Sequence, residues 1–424
     1  MDLTVFPSKL SGSVLIPPSK SFAHRAIFAA LLCRGESVLK NVALSNDIKS
    51  TLNVVEKLGA SYKFSNNILK IYGGLNKLLE CEKKLIEVEC LESGSTLRFL
   101  IPIALAFGRS VLIKVGKKLS QRPLTPYFEA FKKCDVTLKK FDQYIYISGQ
   151  LKAFEYEIDC SLSSQFITGL LFALPNLDGE SVIKITSSPT SKPYIDITLN
   201  VLENFGLNIF ERDNKYIVEG NQEFKSCEYE IEGDHSQAAF FEVLGCLNPM
   251  HIKGLNPNSI QGDAKMLELI SRSGAGVEWK NGVLKIRPGD LDGFCFDVEN
   301  FPDLAPPIAV MACMCKGECS IKGVSRLKFK ESDRVSSIFN MIKSIGGDIT
   351  YSNNCFRIKS VYAFRGGVVD SSHDHRIAMA ASIAAAYSEK PIVILGAKCV
   401  EKSYPGFYQD YQSLGGAIFG FNLE

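Results

Sequence analysis

The chain repeats itself six times, and that repetition limits its fold more than any other feature of its 424 residues. Six segments share one plan: a polar or Ser-rich start, a helix of small apolar residues, a break at Gly or Asn/Pro, and a β-type run. They are "SKSFAHRAIFAALLCRGESVLKN", "ESGSTLRFLIPIALAFGRSVLIKV", "SSQFITGLLFALPNLDGESVIKI", "DHSQAAFFEVLGCLNPMHIKGL", "FPDLAPPIAVMACMCKGECSIKGV" and "DHRIAMAASIAAAYS". Counted from Ser21 through Ser93, Ser163, His235, Asp303 and His373, the starts lie 72, 70, 72, 68 and 70 residues apart. A constant period of this kind marks one supersecondary unit used repeatedly.

A second helical pattern lies between these helices, as in "DIKSTLNVVEKLGASY" and "KESDRVSSIFNMIKSIGGD", with apolar residues at helical spacing and usually a terminal Gly. One or two strands follow. The unit therefore reads strand, helix, strand, helix, strand, strand. Its first helix is apolar on every side, so it belongs inside a domain with sheets around it. Six units divide most simply into two α/β domains of three βαβαββ repeats each, with inner apolar helices and outer sheets, an inside-out α/β barrel. The expected boundaries are 19–231 for the N-terminal domain, and 1–18 with 232–424 for the C-terminal one. An active-site cleft between them is expected to receive the helix N-termini.

Composition excludes several classes of function. With 48 Lys and Arg against 46 acids, the net charge is +2, so no general attraction to nucleic acid or to a membrane surface is expected. Apolar runs such as "FLIPIALAF" fall far short of the about 20 residues a spanning helix needs. The N-terminus has neither a signal-peptide nor a transit-peptide pattern, which leads us to expect a cytoplasmic protein. The 13 cysteines are scattered and mostly sit inside apolar runs, as buried reduced thiols would. "CMCKGEC" has no matching second pair for a zinc site. A P-loop pattern is also absent.

Chemistry is concentrated at the starts of the helices. In "DHRIAMA", Asp374 suits a helix cap, while His375 and Arg376 stand at the positive end of the helix dipole, where a cation is disfavoured without an anion nearby. Other starts carry Lys20, Ser21 and Arg25; Arg98; Ser163, Ser164 and Gln165; and Asp303. Cationic and hydroxyl side chains beside free backbone N–H groups make a recurring phosphate or carboxylate site. In "KFKESDRV", Lys330 and Arg334 at i and i+4 are expected to share a helical face. Arg122 precedes a Pro-initiated helix.

Taken together and in order, "PSKSFAHRA", "SGSTLRFL", "QRPLTP", "SSQFITGLLFALP", "SKPYIDITL", "FPDLAP", "FKESDR" and "DHRIAMA" resemble the signature motifs of the 5-enolpyruvylshikimate-3-phosphate synthase family, over essentially the whole chain. The resemblance implies a two-domain monomer. It also implies transfer of the enolpyruvyl group of phosphoenolpyruvate to the 5-hydroxyl of 3-phosphoshikimate with release of phosphate, a step towards chorismate and the aromatic amino acids, using neither metal nor organic cofactor. By the same resemblance, Lys20, Ser21, Arg25, Ser163, Ser164, Gln165, Ser191, Asp303 and Lys330 would hold 3-phosphoshikimate, with Tyr194 packed against its ring. Lys20, Gly94, Arg122, Gln165, Arg334, Arg376 and Lys402 would face phosphoenolpyruvate. Glu331 is then the candidate proton donor to the methylene carbon, Asp303 the candidate base at the 5-hydroxyl, and Lys20 a residue that shares in proton handling.

Three positions depart from the common pattern. Glu92 replaces an Asn and would set an acid near the phosphoenolpyruvate pocket, weakening anion binding. Arg326 replaces an Asn near the shikimate phosphate and would strengthen it. Phe99 stands where many members have Pro, beside Gly94, whose small size leaves room for the inhibitor glyphosate. Two alternatives are weighed against this reading. The related UDP-N-acetylglucosamine enolpyruvyl transferases usually carry a Cys in the loop that here reads "VGKKLSQRP". A non-catalytic anion-binding protein on a similar repeat would not require Glu331 and Asp303 beside so many cations.

Overall fold

A computed structural model describes residues 1–80, 85–187 and 191–420. The chain divides into two compact units, one formed by Pro18–Ile231 and the other by Met1–Pro17 with Glu232–Glu424. Each has its own hydrophobic core.

The repeated apolar segments form the inner helices. They are Lys20–Leu31, Gly94–Ala106 and Gln165–Ala173 in the first unit, and His235–Gly245, Ala305–Met314 and His375–Ala385 in the second. Every residue of His235–Gly245 and of His375–Ala385 is buried, as a helix without a polar face must be. In the first unit one phenylalanine from each inner helix meets at the centre: Phe28 and Phe99 have ring centroids 5.7 Å apart, and Phe99 and Phe172 5.8 Å.

Three four-stranded sheets surround the helices in each unit, all with one pairing pattern, a parallel pair followed by two antiparallel ones. In the second repeat, Ile86–Leu91 runs parallel to Val111–Val115, which pairs antiparallel with Tyr144–Gly149, and Val136–Phe141 closes the other edge. The hairpins are tight because their two-residue turns use residues that tolerate positive φ. Asn66–Asn67, Asp213–Asn214, Asn281–Gly282 and Asn353–Asn354 all do so, as the favoured hairpin turn requires. Chain crossings complete two sheets of the second unit. Leu3–Phe6 pairs between Ile392–Leu395 and Ala417–Phe419, and Gly12–Leu15 runs parallel to Met250–Lys253. Glu228–Glu230 plays the same part in the first unit, parallel to Glu36–Lys40. Among the described residues no helix is long and apolar enough to cross a membrane.

Candidate active site

In the unit carrying Glu232–Glu424, Arg334 opens the helix Arg334–Ser344 with its side chain fully buried. A guanidinium removed from water in this way needs anions on its donors. Its Nε donates to Asp374 Oδ2 at 2.7 Å, Nη1 to Asp303 Oδ1 at 2.7 Å, and Nη2 to Glu331 Oε2 at 2.8 Å. The second oxygen of Asp303 accepts from Arg376 Nη2 at 2.9 Å, and the second oxygen of Glu331 lies 3.6 Å from Lys402 Nζ. Asp374 also caps the helix His375–Ala385, its Oδ1 accepting the Arg376 backbone N–H at 3.0 Å.

Charge in this cluster is finely opposed. Burial pushes the Asp303 carboxyl up, but Arg376, Lys330 and Arg334 outweigh it and hold the group well below the usual carboxylate range. Desolvation lowers the Lys330 ammonium to about 8, against the pull of Asp303. Burial likewise disfavours the charge on Arg334, yet Asp374, Glu331 and Asp303 keep it firmly protonated. Behind Arg376, the backbone carbonyl of Ser236 accepts from its Nη1 at 3.2 Å, and the Ser236 hydroxyl donates to the Asp263 carboxylate. Burial and the neighbouring charge of Asp303 raise Asp263 to about 6.

In the unit Pro18–Ile231, a second polar group forms at helix starts. Gly94 is the first residue of its helix, and a Cβ there would meet Arg122 Nη1 at 2.7 Å and Arg98 Nη1 at 2.8 Å. Only glycine lets two guanidinium groups approach the backbone this closely. Arg98 Nη1 donates to Gln165 Oε1 at 2.8 Å, Gln165 Nε2 donates to Ser95 Oγ at 2.9 Å, and Ser163 Oγ accepts the Gln165 N–H at 3.2 Å. Ser164 is buried beside them. Lys20 Nζ pairs with Asp47 at 2.8 Å. Arg25 points inward: its Nε donates to Thr198 Oγ1 at 2.8 Å, Nη1 to the Ser21 carbonyl at 2.8 Å and Nη2 to the Tyr194 carbonyl at 2.9 Å. It thereby ties together the stretches that carry Ser21 and Tyr194, and burial lowers its guanidinium to about 10. Ser191, with φ +57°, stands just before the helix Lys192–Asn204 in a left-handed conformation.

Several sequence expectations change in detail. Lys330 and Arg334 do not share a helical face, because Asp333 caps the helix by accepting the N–H groups of Val335 and Ser336, so Lys330 lies before it in non-helical chain. Glu331 and Arg334 nevertheless meet. The anion that Arg376 calls for is present in the chain as Asp303, 73 residues earlier. Glu92 turns towards backbone donors, accepting the N–H of Leu119 at 2.8 Å and of Lys118 at 3.2 Å. Arg326 donates to the Glu299 carbonyl at 2.8 Å. Sequence reasoning did not single out Asp47, Asp263, Ser236, or Asp374 as a partner of Arg334. Each lies tens of residues from its partner, with no local pattern to announce it. Cys313, Cys315 and Cys319 are buried, the first two with Sγ directed at the backbone carbonyls of Ala309 and Met311.

Known proteins resemble this chain along nearly its whole length. The sequence model of the family described as EPSP synthase (3-phosphoshikimate 1-carboxyvinyltransferase) matches residues 6–411. A 3-phosphoshikimate 1-carboxyvinyltransferase of Clostridium kluyveri is 40% identical over 420 residues, covering 98% of each chain. One from Clostridium perfringens is 41% identical over 421 residues, covering 98% of this chain and 99% of its own. Among solved structures, an EPSP synthase from Acinetobacter baumannii superposes with a TM-score of 0.81 at 23% identity, over 98% of this chain and 99% of that one, which establishes a shared fold. By sequence along its length, and with that fold, this chain belongs to the EPSP synthase (3-phosphoshikimate 1-carboxyvinyltransferase) family.

Proposed function

We propose that the chain transfers the enolpyruvyl group of phosphoenolpyruvate to the 5-hydroxyl of 3-phosphoshikimate, giving 5-enolpyruvylshikimate 3-phosphate and phosphate by addition and elimination. Family membership supports the reaction. The observation that carries the assignment of residues is the cluster in which Asp303 is held between Arg334 and Arg376 while Glu331 is held between Arg334 and Lys402. Two carboxylates suited to proton transfer are thus stored on the cations that two phosphorylated acids require.

The chemistry follows from competition for those cations. An arriving phosphate or carboxylate takes Arg334, Arg376 and Lys402 as charge-assisted partners. Asp303 then loses the charges that hold its carboxyl low, and its affinity for a proton rises towards what a base at the 5-hydroxyl needs. Glu331, close to bound phosphate charge, is favoured in its protonated form and delivers that proton to the methylene carbon. The 5-hydroxyl oxygen bonds to the adjacent carbon of phosphoenolpyruvate as Asp303 accepts its proton. In the second half the bond to the phosphate oxygen breaks, the departing phosphate takes up the proton held on Asp303, and Glu331 takes a proton from the new methyl group as the double bond re-forms. Lys20, Ser21, Arg25, Ser163, Ser164, Gln165, Ser191, Tyr194, Asp303 and Lys330 hold 3-phosphoshikimate, Arg25 also fixing the backbone around Ser21 and Tyr194. Gly94, Arg122 and Gln165 complete the phosphoenolpyruvate site with Lys20.

We further propose that the protein works as a cytoplasmic monomer. The proposed site residues all come from one chain, and no disulfide joins two of the described cysteines, which suits a reducing compartment. Light scattering of the purified protein checks the monomer. The reaction is tested by measuring phosphate release from phosphoenolpyruvate with either 3-phosphoshikimate or UDP-N-acetylglucosamine. Release that needs 3-phosphoshikimate is expected, and release only with the nucleotide sugar overturns the proposal.

A further inference from the structure

Glu92 is an acid placed two residues before Gly94, where an anion is to bind, and a through-space charge there should oppose that anion. Its geometry points to a different role. The strand Ile86–Leu91 shifts register against Val111–Val115 between Glu89 and Leu91, and Leu91 takes a φ of +48°. An irregularity of this kind at a strand end re-aims the side chains that follow it. The partly buried Glu92 carboxylate turns to the start of the short helix Lys117–Gln121, where Oε2 accepts the Leu119 N–H at 2.8 Å and Oε1 accepts the Lys118 N–H at 3.2 Å. Both bonds are charge-assisted, and they occupy donors that the helix itself leaves free.

Two further contacts fix this arrangement. The Gly116 N–H donates to the Leu91 carbonyl at 2.6 Å, so the backbones on either side of the junction are tied directly. A Cβ at Gly116 would lie 2.1 Å from Glu92 Oε1, so this carboxylate seat exists only because residue 116 lacks a side chain. The short helix ends at Gln121, and the next residue is Arg122, whose guanidinium stands beside Gly94. Lys140 Nζ donates to the Arg122 carbonyl at 3.1 Å on the other side. The segment that carries Arg122 is thus held at its beginning by Glu92 and at its end by Lys140.

We infer that Glu92 is a positioning residue: it clamps the 116–121 segment so that Arg122 is already aimed at the phosphoenolpyruvate site. The inference rests on the proposed role of Arg122. The negative charge of Glu92 is spent on backbone N–H groups, so its net effect on anion binding is favourable, opposite in sign to the simple electrostatic expectation.

The test is steady-state kinetics of Glu92→Gln, Glu92→Ala and Arg122→Ala, with separate KM values for the two substrates. Glu92→Gln keeps the shape and one acceptor oxygen, so the KM for phosphoenolpyruvate is expected to rise about threefold. Glu92→Ala loses both acceptors and is expected to raise it about tenfold, about 1.4 kcal/mol. In both variants kcat and the KM for 3-phosphoshikimate stay within about twofold of wild type, a split that a general loss of fold would not produce. A KM for phosphoenolpyruvate that falls or stays unchanged in Glu92→Gln, while Arg122→Ala raises it, overturns the positioning role alone. An unchanged KM in Arg122→Ala overturns the proposed role of Arg122 and this inference with it.

Discussion

Replacing Asp374 by Asn tests whether Arg334 is held by charge. The substitution keeps the size of the side chain, and an Asn oxygen can still cap the helix His375–Ala385, because Asn is as good a cap as Asp. What it removes is one of three carboxylates around a guanidinium with no solvent exposure. Taking away a sole partner from a buried pair costs about 3–5 kcal/mol. Here Asp303 and Glu331 remain at 2.7 and 2.8 Å, so a loss of about 2–3 kcal/mol is expected by scaling that range. For a unit of this size each kcal/mol is worth roughly 2–4 °C, which gives a fall in Tm of about 4–12 °C. Scanning calorimetry should show that fall in the transition of the unit carrying Glu232–Glu424. The KM for phosphoenolpyruvate should rise as well, since Arg334 is then drawn towards the two remaining acids. A Tm within 1 °C of wild type would refute the claim that Asp374 balances the buried charge.

Two other outcomes are expected. Gly94→Ala places a methyl group against the tips of Arg122 and Arg98, both ends of flexible side chains that can withdraw. The KM for phosphoenolpyruvate should rise severalfold with kcat largely kept, and inhibition by glyphosate should weaken; full sensitivity in inhibition assays would sink this reading. Glu242 is fully buried, and among the described residues neither of its carboxyl oxygens has a hydrogen-bond partner. Burial, then the charge of Asp263, raises its carboxyl well above the usual range. The native state therefore keeps a proton that the unfolded chain releases above its ordinary value of 4.5, so stability falls as pH rises from there towards the native value. Glu242→Gln should stabilise the protein at pH 8 and change little at pH 4 in urea unfolding. A variant less stable than wild type at pH 8 would contradict the assignment.

The fold was readable because each unit repeats a strong local pattern. A helix of small apolar residues such as Ala378–Ala381 can lie only inside, and an Asn pair such as Asn353–Asn354 can end a strand only in a tight turn. The site was readable only in part. Helix starts announced Lys20 and Arg376, because an unsatisfied N-terminus beside a cation is a local signal. Their counterions were not announced. Asp303 reaches Arg334 over 31 positions and Arg376 over 73, and Asp374 reaches Arg334 over 40. Asp303–Arg376 and Asp374–Arg334 join separate repeats, which periodicity treats as equivalent and so cannot match to one another, while Asp303–Arg334 joins the two helix starts of one repeat at a separation no local pattern covers. The helical spacing of Lys330 and Arg334 misled for a related reason. A cap at Asp333 outweighs an i, i+4 pairing, since it satisfies backbone donors that every helix start must satisfy.

The central claim is that the Glu331 carboxyl adds a proton to the enolpyruvyl carbon and then removes one. Its most direct test is the reaction run in D2O with phosphoenolpyruvate and 3-phosphoshikimate, the product being read by mass spectrometry and proton NMR. Addition and elimination through a methyl group predicts solvent deuterium in the vinyl methylene of the product, and Glu331→Gln should suppress both product and exchange. Product formed at the wild-type rate with no deuterium in that methylene would contradict the account.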